Sequence, residues 1–234
     1  MLIGGLQKMT LIDYSGKIAC TVFTVGCNFR CPFCHNPELV DQARFNVGGI
    51  IEEKVFFDFL KSRQDLLGGV CVTGGEPTLH SELPDFLKQI KNLGFSVKLD
   101  TNGTAPEKLE ILIKDGLVDY IAMDIKNCFT DIYEKTVGVK IDLEKIKKSV
   151  KIIMASGLEY EFRTTVVPGL HTEADILDIA LEICGAKKYY LQQFRSGGKI
   201  LNQEYRSLKP YPAEFLRELR EKIKGSFEIC EVRE

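Results

Sequence analysis

Gly26-Cys27-Asn28-Phe29-Arg30-Cys31-Pro32-Phe33-Cys34-His35-Asn36 sets three cysteines in the spacing C-x-x-x-C-x-x-C. Three thiolates so close can wrap one inorganic centre from a single loop. Iron–sulfur clusters are held by cysteine thiolates, and four are needed to saturate a 4Fe–4S cube. Three leave one iron without a protein ligand, and an open coordination position is where a substrate binds. A structural zinc knot closed by His35 is the competing reading. It is disfavoured because His35 directly follows Cys34, whereas structural zinc ligands are spaced further apart. A disulfide is disfavoured too, since three is odd and nothing marks the chain as secreted.

The rest of the composition narrows the class. At 234 residues the chain falls in the range of one α/β domain, read as a single domain over 1–234. Its 44% hydrophobic content supports a sizeable core, and 27% charged residues with a net charge of -2 make an ordinary surface. That balance argues against nucleic acid, whose binders carry a basic excess. Lys145, Lys147, Lys148 and Lys151 read as the wet face of a helix. No apolar run approaches the roughly 18 residues of a membrane span, and the first ten residues lack the apolar core of a signal peptide. Eight cysteines without a paired pattern imply a reducing compartment, the cytoplasm.

Around the cysteine loop the chain alternates. Residues 18–25, 69–73, 95–99, 117–125, 160–167 and 188–194 have the β-branched or apolar composition of buried strands. Between and after them lie helical patterns. The first, over 51–66, has Val55, Phe56, Phe59 and Leu60 on its stripe. The second is capped by Ser81, with Pro84 in its first turn and Gly94 after it. The others are opened by Pro106, Asp142, Thr172 and Pro212. Six strand–helix units in sequence predict a parallel sheet with right-handed crossovers, a partial (β/α)6 barrel open on one side. Active sites of such barrels gather at the C-terminal ends of the strands. The cysteine loop, Gly74-Gly75-Glu76, Asp100-Thr101-Asn102, Asp124-Ile125-Lys126, Pro168-Gly169 and Gln192 to Arg195 all fall at those ends.

Each has a plainer reading. Gly-Gly-Glu is most often a turn, and Asp100 and Asp124 could be surface carboxylates capping loops. Arg163, inside a strand, needs a partner because an unpaired buried charge is costly; an ion pair and a ligand carboxylate are both open. His80 and His171 read as surface residues. Cys20, Cys71, Cys184 and Cys230 read as small buried hydrophobes, with Cys128 at the barrel mouth.

With Phe33 just before its last cysteine, the loop resembles that of the radical S-adenosylmethionine superfamily. The longer string LIDYSGKIACTVFTVGCNFRCPFCHNPELV resembles the glycyl-radical-enzyme activases. The longer anaerobic ribonucleoside-triphosphate reductase activating proteins come first, and the pyruvate formate-lyase activating enzymes next. The likeness runs over nearly the whole chain, departing at Ser15, where proline is expected. It implies one 4Fe–4S cluster on Cys27, Cys31 and Cys34, and S-adenosylmethionine on its open iron. Gly74, Gly75 and Glu76 would hold the methionine amino group, and Asp124, Ile125 and Lys126 the rest of the methionine. Asp100, Thr101 and Asp124 would also bind a monovalent cation. Phe33, Asn102, Arg163 and Arg195 complete the expected cofactor contacts, Arg195 standing where the pyruvate formate-lyase activases carry a histidine. The implied reaction is reductive cleavage to a 5′-deoxyadenosyl radical that takes a hydrogen atom from a partner glycine. A flavodoxin-like or ferredoxin-like protein would supply the electron. The alternative inside the superfamily is a small-molecule enzyme such as a 7-carboxy-7-deazaguanine synthase. No cysteine lies between Asn36 and Ile51, so no ferredoxin-like insertion is expected there.

Overall fold

The computed structural model describes residues 1–43, 45 and 49–234. Among the described residues, eight strands follow one another across a single sheet in chain order. The chain divides into two compact units. One comprises Met1–Asn28, Glu38–Thr101 and Ala105–Ile121; the other comprises Phe29–Pro37, Asn102–Thr104 and Ala122–Glu234.

In the first unit, β2 (Ala19–Thr24), β3 (Gly69–Gly74) and β4 (Ser96–Thr101) are parallel neighbours. The register of β2 and β3 runs from Ala19 opposite Gly69 to Thr24 opposite Gly74. Helices α1 (Pro37–Val40), α2 (Glu53–Lys61), α3 (Leu83–Asn92) and α4 (Pro106–Lys114) accompany them. Their apolar faces meet at an aromatic cluster, in which Phe56 stacks on Phe86 at 5.2 Å and Phe57 lies 5.2 Å from both. Burying each such ring contributes about 1.5–3 kcal/mol.

In the second unit, β6 (Glu159–Val166), β7 (Lys188–Gln193) and β8 (Ile229–Arg233) are parallel, beside α5 (Ile132–Val137), α6 (Leu143–Ala155), α7 (Glu173–Glu182) and α8 (Ala213–Ile223). Side chains alternate along β6. Tyr160, Phe162 and Val166 fill an apolar face, while Glu161, Arg163 and Thr165 take the other. Between the units in sequence runs β5 (Tyr120–Asp124).

The six expected strands are present, and two more flank them. β1 (Ile3–Thr10) is antiparallel to β2, and β8 closes the row. β1 escapes a sequence reading because Gly4 and Gly5 are poor strand formers. Gly4 is there for packing, since a Cβ on it would lie 2.6 Å from Leu39 and 2.7 Å from Val25. Two helix expectations are corrected. α2 ends at Lys61, and its buried residues are Phe56, Phe57 and Leu60, with Val55 exposed. Ser81 does not cap α3: its hydroxyl donates to Glu82, and the helix starts at Leu83 without a side-chain cap. Asp142 and Thr172 do cap α6 and α7, the latter through a reciprocal bond with Asp175. Among the described residues no helix is long and apolar enough to cross a membrane.

Candidate active site

In the first unit lie the loop's beginning and the ends of β3 and β4. The Gly26 amide donates to the Leu39 carbonyl at 2.7 Å, and Cys27 N–H donates to the Val40 carbonyl at 3.0 Å. The Gly26 carbonyl in turn accepts from Glu76 N–H at 2.8 Å. This is why residue 75 is glycine. A Cβ there would stand 2.1 Å from the Gly26 carbonyl oxygen, and one on Gly74 would stand 2.3 Å from the Thr24 nitrogen. Gly74 also has φ +116°, a conformation that only glycine adopts without strain. The Gly-Gly pair therefore seats the end of β3 on the backbone that opens the cysteine loop.

Glu76 is almost fully buried. One carboxylate oxygen accepts from Thr78 N–H at 3.1 Å, from the Thr78 hydroxyl at 2.5 Å and from the Thr101 hydroxyl at 2.8 Å. These three donors fix the carboxylate at the end of β3. At the end of β4, Asp100 is no exposed cap. It accepts from the Lys98 ammonium at 2.8 Å, and Lys98 is itself buried. The Cys71 thiol is 3.7 Å from the same carboxylate oxygen.

In the second unit lies the rest of the loop, Phe29–Pro37. Cys34 N–H donates to the Cys31 carbonyl at 3.0 Å, so these two cysteines share one turn. The turn is braced from outside, with the Pro32 carbonyl accepting from Asn202 N–H at 2.9 Å and the Cys34 carbonyl from Leu201 N–H at 3.0 Å. Arg30 N–H donates to the Val137 carbonyl at 2.8 Å, at the end of α5. Phe33 is buried. The His35 Nε2 lies 2.8 Å from the Arg195 carbonyl. A carbonyl only accepts, so Nε2 carries the proton and Nδ1 is the accepting nitrogen.

Asp124, at the end of β5, accepts from Arg163 Nε at 2.8 Å on one oxygen and from Lys126 Nζ at 2.9 Å on the other. Burial raises the Asp124 pKa, but Arg163 and Lys126 outweigh it and hold the carboxyl well below the usual range. Burial likewise lowers the Lys126 pKa, and Asp124 more than reverses that. Arg163 has a second anion, Glu161, at 3.7 Å. Glu161 is gripped by both terminal nitrogens of Arg233, at 2.9 and 2.8 Å, and that guanidinium lies 3.5 Å over the Tyr190 ring. Ile125 is buried, its N–H donating to the Arg163 carbonyl at 2.8 Å. Asn102 accepts from Thr104 through its side chain.

Four side chains sit otherwise than expected. His171 is buried, accepting from Val167 N–H and bonding the Lys126 carbonyl through Nε2 at 2.8 Å; burial lowers its pKa. Together with the Tyr133 hydroxyl, which accepts from Lys126 N–H, it fixes the backbone of Lys126. His80 is half-buried and ends a short 3-10 turn. Cys128 is a buried thiol, 3.5 Å from the Thr130 hydroxyl and 3.6 Å from Asp175, with burial raising its pKa. Cys184 is exposed, while Cys20, Cys71 and Cys230 are buried as expected. Arg195 spends a guanidinium nitrogen on the Glu234 carbonyl at 2.8 Å. Lys98, Glu161, Arg233, Tyr133 and His171 are the contributors a sequence reading passes over. Only Lys98 leaves a signal, a lysine two residues before Asp100 on a strand and so on the same face.

The three loop cysteines suit an iron–sulfur cluster. None is in a disulfide; Cys31 is buried, and Cys27 and Cys34 are half-buried. Among the described residues, no three His, Cys, Asp or Glu side chains are gathered about a point that one metal ion could fill.

Residues 21–183 match the family model of the radical SAM superfamily. The chain belongs to that superfamily and is a radical SAM enzyme, with its α/β partial-barrel fold. A protein of Methanocaldococcus jannaschii, named provisionally as a glycyl-radical enzyme activating enzyme, is 38% identical over 94% of this chain and 89% of its own length. The pyruvate formate-lyase-activating enzyme of Clostridium pasteurianum is 31% identical over 72% of this chain and 69% of its own. Among solved structures, SuiB of Streptococcus suis bound to S-adenosylmethionine superposes with a TM-score of 0.67 at 16% identity, over 89% of this chain and 48% of that one. A domain of a Bacteroides vulgatus pyruvate formate-lyase-activating enzyme gives a TM-score of 0.55 at 19% identity, over 69% and 98%. At such identities the two structures speak for the fold alone.

Proposed function

We propose that this chain is a glycyl-radical-enzyme activase whose target is an anaerobic ribonucleoside-triphosphate reductase. The observation that supports the radical SAM site within this reading is the seating of Gly74-Gly75-Glu76 on the first residues of the cysteine loop, through the Gly26 carbonyl. A plain turn has no need of such a contact. The relatives named for glycyl-radical and pyruvate formate-lyase activation support the activase class, and the likeness of the 30-residue N-terminal string supports the reductase as target.

In this reading Cys27, Cys31 and Cys34 hold the cluster. Cys27 and Cys31 are four residues apart, so the chain itself limits their Cα atoms to about 14 Å. A reduced 4Fe–4S cluster, when bound, supplies one electron to the sulfonium of S-adenosylmethionine, giving methionine and a 5′-deoxyadenosyl radical. The protein's residues do the holding and shielding. Glu76 offers its fixed carboxylate to the amino group, and Lys126 and Arg163 offer cations to the carboxylate. Phe33 and Ile125, both buried, keep water from the reacting atoms. Asn102 and Arg195 border the adenosine. The partner's surface completes the enclosure, so the enzyme alone should cleave S-adenosylmethionine slowly. The reductant is a flavodoxin-like or ferredoxin-like protein, and the compartment the cytoplasm.

Anaerobically reconstituted protein should hold about four irons, and Cys34→Ala should lose most of them. With dithionite, S-adenosylmethionine and the reductase encoded in the same genome, a persistent glycyl-radical doublet should appear by electron paramagnetic resonance. Absence of that signal, alongside catalytic turnover of a free small molecule, would overturn the activase reading.

A further inference from the structure

The resemblance to the activases assigns a monovalent cation to Asp100, Thr101 and Asp124, and the residues here do not fit it. Hard ions of this kind are held by oxygen ligands whose negative charge is theirs to share. Both carboxylates in the set already carry cations from the chain. Asp100 takes the Lys98 ammonium at 2.8 Å. Asp124 takes Arg163 on one oxygen and Lys126 on the other, at 2.8 and 2.9 Å. The third member, Thr101, donates its hydroxyl to Glu76 and brings no charge of its own. A metal ion at Asp100 would share one carboxylate with an ammonium, and one at Asp124 would join two cations around a single negative charge. Like charges so close oppose each other strongly away from water.

Lys98 is built to stay where it is. It is 2% exposed and lies on the same face of β4 as Asp100, two residues on. Its Nζ is 4.0 Å from the Cys71 sulfur and 5.8 Å from the Tyr120 ring centroid, so an aromatic face also receives the charge. A lysine ammonium is a compact monovalent point charge, which is what the cation would have contributed.

We infer that Lys98 is a built-in counter-cation to Asp100, and that this enzyme binds S-adenosylmethionine without sodium or potassium. The inference rests on the radical SAM reading of the site, and the experiment separates the two. Binding of radiolabelled S-adenosylmethionine to the reconstituted enzyme is measured by equilibrium dialysis at one ionic strength. The only small cation is tetramethylammonium, sodium or potassium in turn. Wild-type affinity should agree within about twofold in all three. Lys98→Met should bind about tenfold more weakly in tetramethylammonium, the cost of leaving Asp100 without its counter-charge, and should regain most of that loss in sodium or potassium. Lys98→Arg, which keeps the charge, should stay independent of the cation. The melting temperature of the unloaded wild-type protein should likewise not respond to exchanging tetramethylammonium for either metal ion.

Wild-type affinity that rises tenfold with sodium or potassium would overturn the inference, whatever happens to the variants. So would a folded Lys98→Met that binds equally well in every buffer. Absence of wild-type binding in all three buffers would overturn the reading of the site itself. If Lys98→Met does not fold, the wild-type and Lys98→Arg measurements decide alone.

Discussion

Asp100 and Asp124 look interchangeable in the sequence, each an aspartate at the C-terminal end of a strand, yet they are held in opposite ways. Asp100 is neutralised locally, by the lysine two residues earlier on its own strand. Asp124 is neutralised at long range. Its guanidinium partner comes from β6, and that arginine is followed by Glu161 and then by Arg233 of β8. The first pair is a point contact. The second is the inner end of a line of alternating charges, Lys126, Asp124, Arg163, Glu161 and Arg233, reaching to the last strand. Position within a strand thus says little about how a charge is supported.

Truncating both carboxylates is the strongest way to break this comparison. Asp124→Ala takes the printed anion from Lys126 and leaves Arg163 only the more distant Glu161, and an arginine cannot shed its proton to escape. Breaking a fully buried pair costs about 3–5 kcal/mol, and these half-buried pairs should fall at the low end of that, about 3 kcal/mol. Asp100→Ala strands Lys98, and a buried lysine can relieve the strain by losing its proton. The cost at neutral pH should be smaller, about 1–3 kcal/mol, and should shrink as the pH rises. Urea unfolding of the cluster-free variants measures both. A larger loss for Asp100→Ala than for Asp124→Ala would mean that the local pair carries more than the network.

The same contrast marks what was legible. Six parallel strands and their helices follow from apolar runs and from glycine and proline punctuation, all short-range signals. The cysteine triad, Gly74-Gly75-Glu76 and the aspartates at the strand ends were visible for the same reason. What escaped depends on residues far apart in sequence. Gly75 reads as room for a ligand, whereas the structure gives its missing Cβ to the Gly26 carbonyl. Gly75→Val should therefore disturb the cysteine loop and lower iron content, where a ligand-contact role alone would spare it. His171 looks like a loop histidine and is a buried brace for Lys126, 45 residues away. Arg233 lies 72 residues from Glu161, on a strand whose five residues mix apolar and charged types.

A double-mutant cycle sharpens the comparison at the outer end of the line. Arg233→Met removes the fork that grips Glu161, and the buried carboxylate then draws more heavily on Arg163. Asp124 loses part of its partner without being touched. Stability should fall by about 2 kcal/mol, and S-adenosylmethionine affinity should fall with it. Glu161→Gln in the same chain removes the competing charge and should restore most of the affinity. Coupling between the two sites should be about 1 kcal/mol or more. If the double variant binds no better than Arg233→Met alone, Arg233 only packs β8 against its neighbour.

The smallest effect is confined to acid. The folded pKa of Asp124 is depressed, so its contribution to stability is complete above its unfolded value, about 3.9, and is lost as pH falls through the folded value. Lys126 has the opposite sign. Its folded pKa is raised, so its contribution is complete below about 10.4 and is lost only as pH rises through the higher folded value. Between those limits the pair should be indifferent to pH. Wild-type protein and Asp124→Asn should thus show parallel urea midpoints from about pH 6 to 8. Below about pH 4 the wild type should lose stability faster, because only its folded state resists taking up that proton. Parallel curves down to pH 3 would mean that Arg163 and Lys126 do not hold Asp124 in its ionised form, and the long-range network would lose its electrostatic basis.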